Sequence, residues 1–171
     1  MPANWTTPVT WNVDQLVTND DLNEQVRDNL EYLLSPNHDR ILRDNSGDYA
    51  ITGVTAFQDI DSTNLSITME THGGPVLVHF MGSGHSNGTN NPGYFDIAVD
   101  GTRVGAAFTF GLLTLGCDAA AWMPVSLVVL VTGLAAGNHT FRPQWRSDVS
   151  DTLTLRASSS NSAATFEVIE L

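Results

Sequence analysis

The residue types in this 171-residue chain that could do chemistry are few and scattered: histidines at positions 38, 72, 79, 85 and 139, one cysteine at 117, and a surplus of carboxylates. His79 and His85 stand across an expected strand end and loop, at no common zinc spacing, and no carboxylates of the kind that orient ligating imidazoles are evident beside them. One version of a histidine metal site stays open, in which a trimer gathers three copies of one histidine on its axis. Asp59 and Asp61 offer oxygen ligands of the kind calcium takes, but the glycine-containing calcium loop is missing, so solvated turn carboxylates are the simpler reading. Cys117 lies between Gly116 and Asp118 with no His or Lys to activate its thiol, and it reads as a loop or buried residue. There is no Gly-x-Ser-x-Gly elbow, phosphate loop, dinucleotide fingerprint or His-Glu-x-x-His. The expectation is therefore a protein without enzymatic activity, metal or organic cofactor. Trp122 and Trp145 read as core residues, the alternative being an exposed Trp beside residues 82–93 that stacks on a sugar.

Charge narrows the partners. Nineteen acidic residues stand against seven basic ones, all arginine, for a formal net charge of −12. Binding to a phosphate backbone needs clustered Lys and Arg that release counterions, so nucleic acid is not an expected partner. A single cysteine allows no intrachain disulfide. Asn-x-Ser/Thr sites at Asn4, Asn64, Asn87 and Asn138 matter only in a secreted eukaryotic protein, and Met1-Pro2-Ala3-Asn4-Trp5 lacks the basic and then apolar run of a signal peptide. Synthesis in a cytoplasm is expected. Residues 119–137 carry no charge, yet Pro124, Gly133 and the β-branched Val125, Val128, Val129, Val131 and Thr132 mark a strand between turns. No membrane insertion is expected.

The elements that must position these residues fall into two kinds. Residues 5–11, with Trp5, Pro8 and Trp11, read as extended, and Thr18 or Asn19 then caps a helix over roughly residues 19–34, with Asp20, Asp21 and Glu24 in its first turn. Leu22, Val26, Leu30 and Leu33 form its apolar stripe, widened by Tyr32 and Leu34, and Ser35-Pro36-Asn37 ends it. A lone helix of this length is marginal in water, so the stripe requires a partner surface. From about Tyr49 onward the period changes to two: Leu65, Ile67 and Met69 alternate with Ser66, Thr68 and Glu70, and Phe95, Ile97 and Val99 with Asp96, Ala98 and Asp100, which reads as strands with one wet face. Asp100-Gly101 is a hairpin turn, and 134–138 is another. Further strands are expected at 49–57, 76–81, 103–110, 125–132, 139–146, around Leu153 and Leu155, and at 165–171, with 82–93 as a long polar loop. About nine strands of this kind make a mainly β fold, a jelly-roll β-sandwich with one N-terminal α-helix. The expected division is residues 1–44 as extended segment and anchor helix, and 45–171 as the sandwich. In 125–132 both faces are largely apolar, so the outward one, with Val128 and Leu130, reads as an oligomer interface or as a surface covered by the N-terminal segment.

The first 35 residues carry a resemblance. Trp5, Pro8 and Trp11, followed by Thr18, Leu22-Asn23, Val26-Arg27-Asp28-Asn29-Leu30 and Leu33, look like the N-terminal signature of small tailed-bacteriophage virion proteins. More loosely, residues 134–146 and the closing Phe166-Glu-Val168-Ile169-Glu170-Leu171 resemble jelly-roll heads of phage decoration, head-fibre and receptor-binding proteins, which are similar to the C1q/TNF-like fold. The resemblance implies a homotrimer at the virion surface. Its anchor would be Trp5, Pro8, Trp11, Leu22, Asn23, Val26, Arg27, Asn29, Leu30 and Leu33, docked on the major capsid protein or another virion protein. Capsid decoration or a head fibre is the first expectation, and a tail- or neck-associated protein recognising a host surface glycan is the second.

Overall fold

The computed structural model describes residues 6–7, 9–30, 36–45, 47–88, 92–116, 121–148 and 151–171. Trp5, Pro8, Tyr32, Leu33, Leu34 and Cys117 lie outside the described residues. The chain divides into two units, Met1–Asn37 and His38–Leu171.

In the second unit the period-two alternation becomes strands, among the described residues β1 (His38–Arg43), β2 (Tyr49–Thr52), β3 (Gln58–Asp59), β4 (Ile67–Thr71), β5 (Val76–Ser86), β6 (Gly93–Val99), β7 (Thr102–Arg103), β8 (Leu113–Leu115), β9 (Met123–Val131), β10 (Gly137–Arg146), β11 (Thr152–Leu155) and β12 (Ala164–Glu170). Every ladder is antiparallel. On β5, one edge carries β9, and the other carries β12 over Val76–Met81 and then β11 over Gly84–Ser86. β12 in turn pairs β1, and β11 pairs β2, so β1 with β2 and β11 with β12 act as two long, interrupted strands. The second sheet repeats the device: β3 and β4 share one edge of β10, β6 takes the other, and β7 and β8 share the far edge of β6. Merging the interrupted pairs leaves eight strands, ordered first–eighth–third–sixth in one sheet and second–seventh–fourth–fifth in the other. That is jelly-roll order, and it bears out the expected fold class.

Inward-facing side chains of both sheets fill the space between them. Phe80 and Phe166 from the first sheet meet Phe95 and Trp145 from the second, with Phe80 and Phe95 ring centroids 6.2 Å apart and Phe95 and Trp145 6.3 Å apart. Tilted aromatic pairs at such separations add stability beyond the apolar area they bury. At the expected hairpin, Asp100 (φ 50°) and Gly101 (φ 79°) both take the left-handed backbone that a two-residue turn of this hand demands.

Three expectations for this unit need correction. The unit boundary falls after Asn37 and not after residue 44, because His38–Arg43 pairs with β12 from His38–Ile169 to Arg43–Ala164. β5 continues through the glycine-rich stretch to Ser86, since a Cβ at Gly82 would sit 2.8 Å from Leu155 and one at Gly84 2.9 Å from Leu115. Those glycines allow close approach within a strand and do not mark a loop. Residues 104–111 are turns, drawn in as the Gly105 N–H donates to the buried Asp96 carboxylate. The strand expected at 139–146 forms as the central β10, with Pro143 inside it. The Pro143 carbonyl accepts from Ile60 N at 3.0 Å, so its nitrogen faces the same side, where β10 changes partner from β4 to β3 and no ladder donor is required.

In the first unit Thr18 is the N-cap. Its Oγ1 accepts from Asp21 N at 3.2 Å while Thr18 N donates to Asp21 Oδ2 at 2.9 Å, a reciprocal capping box. A short α-helix α1 (Asn19–Leu22) follows, and the chain then widens into π-helical turns over Asn23–Asp28. The expected single α-helix is thus only in part α. Carbonyls of Glu24 and Gln25, inside the widened stretch, accept from Thr6 Oγ1 and Asn29 Nδ2.

Candidate functional site

Two surfaces collect the residues singled out from the sequence. In the first unit, Asn29 is buried and acts as a brace: its Oδ1 accepts from Thr6 N at 2.8 Å and its Nδ2 donates to Thr6 O at 3.1 Å. Gln25 Oε1 accepts from Val9 N at 2.9 Å, a second tie between the extended segment and the helical one. Arg27 Nε donates to Asp28 Oδ1 at 2.7 Å, and Asn23 is exposed. Trp11, Leu22, Val26 and Leu30 are all exposed, together with Val9, Val13, Leu16 and Val17. Asn29 and Gln25 therefore hold this unit's shape, while its described apolar residues Trp11, Leu22, Val26 and Leu30 face outward.

The second surface is the outer face of the first sheet. Along β9, Val125, Leu127 and Val131 are buried, whereas Val128 and Leu130 point out and stay 57% and 51% exposed. Register carries the patch across the sheet: Leu130 lies beside Leu77 and then Ile169, Val128 beside His79 and Glu167, and Ser126 beside Met81 and Thr165. Among the described residues β9 pairs only β5, and no described strand pairs its far edge. β1, the opposite edge, carries Asp39, Arg40 and Arg43, the charges that keep edges from pairing with other chains, but β9 carries no charge. A cavity of about 450 Å³ adjoins the end of β9, lined by Leu130, Val131, Thr132 and Leu134 on one side and by Val99, Asp100, Thr102, Arg103 and Val104 on the other.

The titratable residues are held by structural bonds. His72 Nδ1 lies 3.0 Å from Oε2 of the buried Glu170, whose Oε1 accepts from His72 N and Gly74 N. His139 Nδ1 lies 2.7 Å from Asp100 Oδ2. The bond to Asp100 and a second one to the Ala135 carbonyl raise the His139 pKa, while Thr140 N and His139 lower that of Asp100. Asp59 accepts from Arg142 and Gln144. Desolvation pushes the Asp61 carboxyl up, but donors from Asn64, Thr63 and Tyr49 outweigh it and hold the pKa at about 2. Both aspartates that were candidates for calcium thus serve as internal acceptors. His79 and His85 are both on β5, and among the described residues no three His, Cys, Asp or Glu side chains gather as a metal site would need.

Trp145 is core, as expected, but Trp122 is not: it is 37% exposed, with the Arg156 guanidinium 3.8 Å over its ring and the His85 ring centroid 5.2 Å away. A further cluster gave no sequence signal. On the outer face of the second sheet Arg103 lies 3.8 Å over Phe57, and Arg146 lies 4.3 Å over Tyr94, which stacks on Phe110. Beneath them the fully buried Asp96 accepts from Arg103, Ile97 N and Gly105 N. The partners come from separate strands and loops, so no local spacing announces them.

No protein-family model and no curated protein matches this chain. Among solved structures it is similar to the T=1 particles derived from infectious bursal virus, at 9% identity over 79% of this chain and 36% of that one, with a TM-score of 0.49. The VP2 subviral particle of infectious bursal disease virus is similar at 10% identity, over 80% of this chain and 37% of that one, with a TM-score of 0.43. The EclA C-terminal domain, a sugar-binding protein, is similar at 13% identity, over 80% of this chain and 76% of that one, with a TM-score of 0.32. This chain spans little more than a third of the two viral chains. The jelly-roll assignment rests on strand order and register.

Proposed function

We propose that this chain is a non-enzymatic structural protein of a bacteriophage virion, a capsid decoration or head-fibre subunit that trimerises through its β head and is anchored by its N-terminal segment. The observation that carries this reading is the division of labour within the N-terminal unit. Asn29 and Gln25 brace it internally, while Trp11, Leu22, Val26 and Leu30 remain exposed, as an anchor awaiting a groove on a larger partner requires. The uncharged β9 edge with Val128 and Leu130 supports contact between copies, since an edge without charges favours pairing or packing against another chain. A charge of −12 suits an exposed subunit that must stay soluble, and disfavours nucleic acid as a partner. No helix among the described residues is long and apolar enough to cross a membrane.

A second reading, a tail- or neck-associated protein recognising a host glycan, draws on the exposed ring of Trp122. Binding of the full chain and of a chain lacking residues 1–36 to purified particles separates the outcomes. Loss of binding with the head still folded supports the anchor, and full occupancy by the truncated head refutes it. Many copies per particle mark decoration, and a few mark the tail or neck.

A further inference from the structure

His139 occupies an unusual bonding position. Its Nδ1 faces Asp100 Oδ2 at 2.7 Å and its Nε2 faces the Ala135 carbonyl at 2.9 Å. Both partners only accept. A neutral imidazole has one N–H and one lone pair, so it satisfies one of these contacts and sets lone pair against lone pair at the other; only the doubly protonated ring donates to both. The two acceptors are themselves fixed. Asp100 Oδ1 accepts from Thr140 N at 2.8 Å, and the Ala135 carbonyl also accepts from Thr71 Oγ1 at 3.1 Å. One ring therefore ties the turn between β6 and β7 to the loop between β9 and β10, at the end of β4.

Those tied segments form the rim of the cavity beside β9. Asp100 and Thr102 stand on one side of it, Thr132 and Leu134 on the other, and Leu130 lines it where β9 ends. We propose that His139 is an imidazolium clamp that holds this rim closed, so that association of copies through β9 weakens as pH rises and the ring loses its second proton. The association half of this inference rests on the reading of β9 as the contact between subunits; the clamp does not.

The charged groups on the surrounding elements are few. Asp100, on the turn, bonds the ring. Glu70 on β4 follows Met69, which pairs with His139, and Arg103 on β7 lines the cavity while bound to Asp96. His72 and Glu170 pair with each other just beyond the end of β4. The raised pKa of His139, due first to Asp100 and then to Ala135, places the clamped state at and below the ordinary histidine range. Its contribution is complete below the unfolded value and is lost as pH rises through the folded one.

Two measurements on the full chain test this. Long-range ¹⁵N–¹H NMR of the histidine rings reports the protonation of each ring nitrogen. The expected result is a His139 ring protonated at both nitrogens to higher pH than an ordinary histidine, reverting toward the ordinary value in Asp100→Asn. A single neutral tautomer at mildly acidic pH overturns the clamp. Sedimentation equilibrium across the same pH range is expected to show association weakening by about tenfold for each pH unit by which assembly shifts the titration, with the dependence abolished in His139→Gln. An unchanged slope in both His139→Gln and Asp100→Asn overturns the regulation. If His139 titrates as expected while association stays constant with pH, the regulation fails and the β9 contact survives. If the chain is monomeric throughout, the β9 contact fails along with its regulation, and only the clamp stands.

Discussion

Truncating Val128 and Leu130 together to alanine weakens self-association by an amount that can be read apart from its effect on the fold. Both side chains are about half exposed in the single chain, so about half of the surface removed already contacts water there and is left for a partner to cover. Val→Ala deletes two carbons and Leu→Ala three. At about 0.8 kcal/mol per buried CH₂, and with roughly half of each side chain left for a partner to cover, the loss is about 2 kcal/mol per subunit contact. That corresponds to roughly thirtyfold in the association constant of each contact. Sedimentation equilibrium on the full chain measures it, and thermal unfolding under dissociating conditions reads separately the half that the single chain buries, expected to cost up to about 2 kcal/mol. A double variant that assembles as tightly as the unaltered chain refutes the assignment of this face, and an unaltered chain that is monomeric at micromolar concentration refutes association through it.

Replacing Asp96 by Ala strands Arg103 and two backbone N–H groups around a fully buried position, and is expected to cost about 3–5 kcal/mol, read as a lower unfolding midpoint in denaturant. Asp61, held at about 2, stabilises the fold at pH values above the ordinary carboxylate range and loses that contribution as pH falls toward 2; Asp61→Asn is expected to flatten this acid limb in pH-dependent melting. A Cβ at Gly93 would collide with the buried Leu153, so Gly93→Ala is expected to destabilise by about 1–3 kcal/mol in the same assay.

Much of the fold was legible because the signals are local. Alternation in residues 65–69 marks one-sided burial, Asp100-Gly101 meets the backbone demand of a two-residue hairpin, and Thr18 with Asp21, three residues on, caps a helix; residues 95–99 alternate as well but are buried on both faces, since Arg103 and its turn cover Asp96. The two-sided apolar pattern of β9 also pointed to the exposure of Val128 and Leu130. The failures are tertiary. Gly82 and Gly84 look like loop residues until Leu155 and Leu115 occupy the space their side chains would need. Residues 104–111 read as a strand, but the buried Asp96 pulls Arg103 and Gly105 inward. Trp122 reads as a core residue from sequence, yet it stands just before β9 with its ring beside His85 and partly open to water. His139 showed only a histidine in a strand; its two acceptors come from a turn 39 residues away and a loop four residues before it.

The central claim, that this chain is a structural part of an assembled virion, meets its most direct test in the protein composition of purified particles of the virus proposed to encode it. Quantitative mass spectrometry of gradient-purified virions is expected to find the full chain at a fixed ratio to the major capsid protein, accessible to surface-labelling reagents. Its synthesis in infected cells together with absence from the purified particles contradicts the claim.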